Sequence, residues 1–197
     1  MTIHRVIIFS MAMTVALGAA PAFAHVGHGM TSGLAAGILH PLSGLDHLAA
    51  MLTVGLWAAL KGGRALWMWP AAFVAIMLIG GACGMAGVPL PMAEPAIIAS
   101  LVVLGLLVAL AVDLPLAVGA FLIGAFALFH GYAHGSEAPE AASGATYLLG
   151  FAMTTAALHG LGIAGAFVAA HLNARPFIRI AGAACMALGI VLAIQLA

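Results

Sequence analysis

The sequence is nearly without charge. Among 197 residues only five are Lys or Arg and five Asp or Glu, 5% in all, where soluble domains carry about 25%. Such a chain cannot clothe itself in a water-soluble surface, and with 65% hydrophobic residues it reads as a membrane protein. No basic patch is available to neutralise phosphates, which excludes nucleic acid as a partner. Cysteine is scarce too. Cys83 and Cys185 stand singly in apolar runs, without C-x-x-C, so a paired-thiolate metal site and a disulfide framework are both excluded. They read as small hydrophobes packed between helices. The chain lacks a P-loop and any nucleotide domain, and it lacks H-E-x-x-H. No enzymatic activity and no prosthetic group are therefore expected. Internal repeats, low-complexity segments and a soluble domain are missing as well.

What the chain has instead is histidine: nine, against five Lys plus Arg. Two of them lie in His40-Pro41-Leu42-Ser43-Gly44-Leu45-Asp46-His47, inside an otherwise apolar run from Met30 to Leu60. An ionisable group at the bilayer centre costs about 2.5–3.5 kcal/mol on insertion scales. Two imidazoles, a carboxylate and a helix-breaking proline in such a place point to a use, and the use that fits them is coordination of a divalent transition-metal ion.

The N-terminus has the form of a secretory signal peptide. His4 and Arg5 form a polar start, Val6 to Ala20 an apolar stretch, and Ala22-Phe23-Ala24 a small-x-small cleavage site. Cleavage after Ala24 leaves residues 25–197 as the transport domain, beginning at His25 outside the inner membrane. His25 with its free α-amine, together with His28, is a candidate chelate for the ion.

Six apolar runs follow, roughly Thr31–Leu60, Ala65–Ala86, Leu90–Val112, Leu114–Tyr132, Ala145–His171 and Phe177–Leu196. Each is continuous and too long for a barrel strand, so the expected fold is an all-α membrane protein, a six-transmembrane-helix bundle. Pro41 should kink or break the first helix. Starting outside and crossing six times puts both termini of the mature chain outside. The turns holding Lys61, Arg64, Arg175 and Arg179 then face the cytoplasm, and Glu137 and Glu140 face outward. The positive-inside rule gives the same orientation independently. Gly33/Gly37, Gly80/Gly84 and Gly131/Gly135 have the small-xxx-small spacing of closely approaching helices.

Depth then brings the polar residues together. Counting back from Leu60 at ~1.5 Å per residue puts His47 roughly 20 Å up and His40 near the outer boundary. A regular helix would place these two on one face, two turns apart. An unwound turn at Pro41–Gly44 would instead fold His40, Asp46 and His47 inward. The fourth span ends in Phe129-His130-Gly131-Tyr132-Ala133-His134-Gly135-Ser136-Glu137, whose His130 and His134 are i, i+4, a spacing that suits two imidazoles on one metal. Glu137 is a turn further on, and Glu94 lies at the outer end of the third span. His159, in the middle of the fifth span, reads either as the next ligand inward or as a core histidine bonded to a carbonyl. His171 reads as interfacial, Asp113 as a turn residue, and Met51, Met85 and Met92 as packing. A hydrogen-bonded network tying helices together is the plainer account of His40, Asp46 and His47. For His130 and His134 it is the tolerance of a span's end for polarity. Three helices delivering ligands to one level favours the metal.

Imidazole with carboxylate suits nickel, cobalt, zinc and copper, whereas Mg²⁺ and Ca²⁺ want oxygen shells. His40-Pro41-x-x-Gly44-x-Asp46-His47-x-x-x-Met51 and Phe129-His130-Gly131-x-Ala133-His134-Gly135-x-Glu137 resemble the two signature motifs of the HupE/UreJ family. The cleaved signal, His25 and six spans are similar to it too. The resemblance implies a nickel, sometimes cobalt, permease, with Ni²⁺ (or Co²⁺) as the transported ion. A His-x4-Asp-His motif of other nickel–cobalt permeases is not matched, since five residues separate His40 from Asp46. Lacking a nucleotide domain, transport would be secondary or passive. The partners are then the ion and the lipid bilayer, with a homo-oligomer allowed. Three other classes compete: an intramembrane zinc metallohydrolase at His130/His134, a bis-histidine haem protein, and a structural subunit whose polar residues only link helices.

Overall fold

An apolar stretch in lipid must satisfy its own backbone, and the α-helix does so within one segment. The computed structural model describes residues 33–138 and 144–196, and among them every regular element is helical. In chain order, α1 (Gly33–Leu39) passes through a single 3-10 turn (His40–Leu42) into α2 (Leu45–Lys61). Then come α3 (Ala65–Met85), α4 (Ala93–Ala109), α5 (Leu116–Ser136), α6 (Gly144–His171) and α7 (Pro176–Leu196). The expected signal peptide, with His25, His28 and Glu140, lies outside the described residues.

Four helices, α3, α5, α6 and α7, are long and apolar enough to cross a membrane, and α1 with α2 passes the same test as a pair bent by 81°. The apolar α4 is shorter, at 17 residues, or about 26 Å of helix. Length and hydropathy thus give four spans, or five with the bent pair. A count of six follows only if α4 is a span too.

The bend lies where proline demands one. Pro41 cannot donate a backbone N–H and its ring crowds the preceding turn, so the helix tightens and stops. Ser43 closes the break from both its groups: Oγ donates to the His40 carbonyl at 2.6 Å and the backbone N–H to the same oxygen at 3.1 Å. Gly44 then takes an extended conformation (φ −105°, ψ 123°), and the Leu48 N–H donates to its carbonyl to restart the helix. Of the two geometries open to His40 and His47, the structure has the broken one.

Glycine sets how closely the helices approach. A Cβ on Gly131 would lie 1.9 Å from the Met77 carbonyl oxygen, and one on Gly135 would lie 2.1 Å from that of Gly81. A Cβ on Gly80 would meet the Leu128 oxygen at 2.1 Å. Thus α3 and α5 touch backbone to backbone along the two glycine pairs singled out by spacing. Gly55 and Gly162 join α2 to α6 in the same way, and Gly105 and Gly182 join α4 to α7.

The bundle has two chemically distinct ends. Where α2 ends, Lys61 pairs with Asp113 in the α4–α5 connection. Nearby, buried Trp57 and Trp69 stack with centroids 4.3 Å apart and donate their indole N–H groups to the carbonyls of Val112 and Leu116. Arg179 Nε donates to the Ala109 carbonyl at 2.7 Å. By chain direction, Lys61, Arg64, Arg175 and Arg179 belong to this end. Asp46, Glu94 and Glu137, at the start of α2, the start of α4 and the end of α5, belong to the other.

Candidate metal centre

The acidic end carries the histidines. His47 lies in the first turn of α2, next to Asp46. A carboxylate only accepts hydrogen bonds, so the 2.9 Å contact between His47 Nδ1 and Asp46 Oδ1 is an Nδ1–H donation. The same oxygen accepts the His47 backbone N–H at 2.8 Å. The ring is therefore held in one orientation, which in the neutral imidazole leaves Nε2 as the lone-pair nitrogen, and Nε2 is buried without a hydrogen-bond partner among the described residues. Carboxylates commonly orient metal-binding imidazoles in this way. Gly44 makes room for the arrangement: a Cβ there would lie 2.6 Å from Asp46 Oδ1 and 3.1 Å from His47 Nδ1.

His134 is the hub. It lies in the last turn of α5, and its ring packs edge-on against His40 (centroids 4.6 Å apart) and His47 (4.0 Å), with Phe151 at 4.2 Å behind it. The Tyr147 hydroxyl fixes the backbone here by donating to the His134 carbonyl at 3.2 Å. Both His134 ring nitrogens are buried and unpartnered. His40 reaches in from the 3-10 turn and meets Glu137 through Nε2 and Oε2 at 3.2 Å. His40, His134 and Glu137 each offer a ligand atom, and these atoms all lie within 4.8 Å of one another. The i, i+4 spacing suggests His130 and His134 on one ion. The geometry instead groups His134 with His40 and Glu137, because α5 turns His130 toward α4, where its Nε2 is 2.9 Å from Ser100 Oγ.

The rings continue inward as a file. His47 packs against His130 at 4.9 Å, and Phe73 lies 5.7 Å from His130 and 4.9 Å from His159. Exposure falls along it: Glu137 is 64% exposed and His40 27%, whereas His134, His130 and His159 are buried. His159 is the separate member, beyond Phe73 and beside Gly55, whose Cβ would lie 2.2 Å from the His159 carbonyl oxygen. Gly55 lies eight positions after His47 in α2, or about 12 Å of helix. Both His159 ring nitrogens are buried and without a partner among the described residues, so no hydrogen bond to a backbone carbonyl there accounts for this histidine.

A cavity of about 500 Å³ opens beside the file, lined by Asp46, His47, Glu94, Tyr132, Glu137 and Gln195 among others. Glu94 thus belongs to the vestibule and stands outside the close trio. Three carboxylates around one cavity attract divalent cations and repel anions. In all, six buried ring nitrogens on His47, His130, His134 and His159 lack partners among the described residues. Native interiors rarely leave such atoms unsatisfied, and a neutral imidazole offers a cation one lone-pair nitrogen per ring.

Sequence reasoning missed Ser100 and Phe73. Ser100 had a signal, since apart from Glu94 it is the one polar residue of α4. Phe73, one apolar residue among many, had none.

A family model described as HupE / UreJ protein matches residues 12–192. Protein HupE of Rhizobium leguminosarum bv. viciae is 43% identical over 180 residues, covering 91% of this chain and 94% of the relative. No solved structure matches. With a family match over nearly its whole length and a full-length relative at this identity, the chain belongs to the HupE/UreJ family.

Proposed function

We propose that the protein is a secondary permease that takes up Ni²⁺, with Co²⁺ as the other candidate, across the cytoplasmic membrane through the histidine file. The observation that carries this reading is the gradient along the file, from exposed Glu137 through half-buried His40 to buried His130 and His159, with lone ring nitrogens at successive depths. A catalytic site would need one closed constellation around a reacting atom. A transport path needs several partial sites, each weak enough to release the ion to the next.

In this reading the carboxylates of Asp46, Glu94 and Glu137 gather the hydrated ion in the vestibule, helped by His25 and His28 at the mature N-terminus. His40, His134 and Glu137 bind it first. His47 Nε2, held by Asp46, draws it inward past His134 to His130, and His159 receives it beyond Phe73. The orientation follows from charge: the basic end carrying Lys61, Arg64, Arg175 and Arg179 faces the cytoplasm and the acidic end faces outward. Counting the bent pair and α4 as spans gives six crossings and external termini, after removal of residues 1–24. Imidazole-rich ligation selects late first-row metals over Mg²⁺ and Ca²⁺. Nickel is favoured within that group by the family resemblance.

The test is ⁶³Ni²⁺ uptake into cells expressing the protein, beside His47→Ala at matched membrane abundance, with Co²⁺, Zn²⁺ and Cu²⁺ as competitors. Uptake that depends on His47 and yields mainly to Co²⁺ is expected. Absence of uptake by the wild type, with metal still bound to the purified protein, would replace the permease with a metal-binding membrane protein of another kind.

A further inference from the structure

His130 is fully buried and belongs to α5, yet its closest polar contact is on α4. Ser100, also fully buried, has its Oγ 2.9 Å from His130 Nε2 and 2.6 Å from the Ile97 carbonyl oxygen. The hydroxyl has one proton to give. A carbonyl oxygen can only accept, and at 2.6 Å it requires that proton, a bond that serine commonly makes to the preceding helical turn. Ser100 Oγ must then accept from His130, so Nε2 carries the ring proton. The neutral ring has no second one, and its Nδ1, buried and without a partner, is left as the lone-pair nitrogen.

We propose that Ser100 is a positioning residue that fixes the tautomer of His130 and thereby presents Nδ1 of that ring, and not Nε2, to the metal. It does for His130 what Asp46 does for His47, with the opposite nitrogen. Asp46 accepts from Nδ1–H and leaves Nε2 free, and Ser100 accepts from Nε2–H and leaves Nδ1 free. The two rings, 4.9 Å apart and nearly perpendicular at 89°, are thus set to different tautomers by groups on two different helices. Without the hydroxyl, a buried His130 has no acceptor for an N–H on either side, and both tautomers become populated. This assignment rests on the permease reading for its purpose and on the hydrogen-bond geometry for its mechanism, so the two can fail separately.

The test uses the full chain purified in detergent, ¹⁵N-labelled at histidine, in wild type, Ser100→Ala and Ser100→Thr. Long-range ¹H–¹⁵N spectra of the metal-free protein report the His130 tautomer, with His130→Gln identifying its signals. Ni²⁺ alone is then titrated into each. The wild type should show the Nε2–H form, Ser100→Ala a mixture, and Ser100→Thr, which keeps the hydroxyl, the wild-type pattern. Ser100→Ala should also bind Ni²⁺ about 10- to 100-fold more weakly, the usual effect of removing a group that orients a ligand. A merely structural serine would leave the tautomer where it was, and an unchanged tautomer in Ser100→Ala overturns the proposal whatever the metal does. Unchanged Ni²⁺ affinity in Ser100→Ala, beside a loss in His130→Gln, overturns it while sparing the permease. Failure of the wild type to bind Ni²⁺ overturns the permease reading and the metal role of Ser100 together.

Discussion

His47 donates its Nδ1–H to Asp46 Oδ1 at 2.9 Å, a hydrogen bond between neighbours in sequence at the first turn of α2. Because Asp46 Oδ1 also takes the His47 backbone N–H at 2.8 Å, one oxygen locks both the ring and the helix start that carries it. Replacing Asp46 by Asn keeps the shape and removes the charge. Asp46→Asn should weaken Ni²⁺ binding and uptake by about 10- to 100-fold, while His47→Ala should abolish His47-dependent uptake. Equilibrium binding to purified protein, with uptake at matched abundance, checks this. Equal losses in the two variants would make Asp46 a direct ligand of the ion.

Gly44 allows that contact, and not by backbone freedom. Its φ of −105° and ψ of 123° suit alanine. The obstacle is space, since an added Cβ would sit 2.6 Å from Asp46 Oδ1. Gly44→Ala should therefore displace the carboxylate and cost metal affinity, with a thermal midpoint in detergent close to that of the wild type. A large drop in the midpoint with affinity retained would mean that Gly44 serves the fold and not the site.

Composition and periodicity were enough to read most of the architecture. Lipid admits few backbone solutions, so long apolar runs become helices within a few residues of where hydropathy places them, and Pro41 marks the bend. The glycine seams were legible at Gly80/Gly84 and Gly131/Gly135, but only spatial pairing reveals that they face each other. The site was legible as a set of residue types and not as an arrangement. His130 and His134 share an i, i+4 spacing and both pack on His47, yet His130 also meets Ser100 and His134 also meets His40, because a helix face about 100° wide can meet two helices at once. Asp46 could be read as a ligand from its type, and only the direction of a hydrogen bond shows it orienting His47. Phe73 separates His130 from His159 by position alone, which its apolar character does not announce.

The seam between α3 and α5 holds the second half of the site in place. A methyl at Gly131 would press 1.9 Å from the Met77 carbonyl oxygen, and backbone cannot yield as a side chain can. Gly131→Ala should destabilise by at least the ~1–3 kcal/mol typical of overpacking, lower membrane abundance and shift His130 and His134 together. Gly160 is the control: a Cβ there meets nothing within 4 Å, and alanine favours a helix over glycine by about 0.8–1.0 kcal/mol. Gly160→Ala should fold as well as the wild type and transport like it. Thermal unfolding and abundance in membranes compare the two. Equal tolerance at both positions would refute the backbone contact.

Protons should compete with the ion along the whole file, because an imidazole binds metal only when its lone pair is free. The sign follows directly. Lowering the external pH protonates histidines at the mouth, removes acceptors and adds positive charge beside an incoming cation, so uptake falls. The fall should set in below pH ~6.5, the ordinary histidine value, because burial disfavours a charged imidazole. Initial rates of ⁶³Ni²⁺ uptake between pH ~7.5 and ~4.5, with the membrane potential clamped, measure it. Raising the Ni²⁺ concentration should restore the rate at low pH, since competition alters apparent affinity and leaves the maximal rate intact. A profile that stays flat to the acid end of that range would exclude histidine as the ligand that limits uptake and shift the limiting step to the carboxylates of the vestibule.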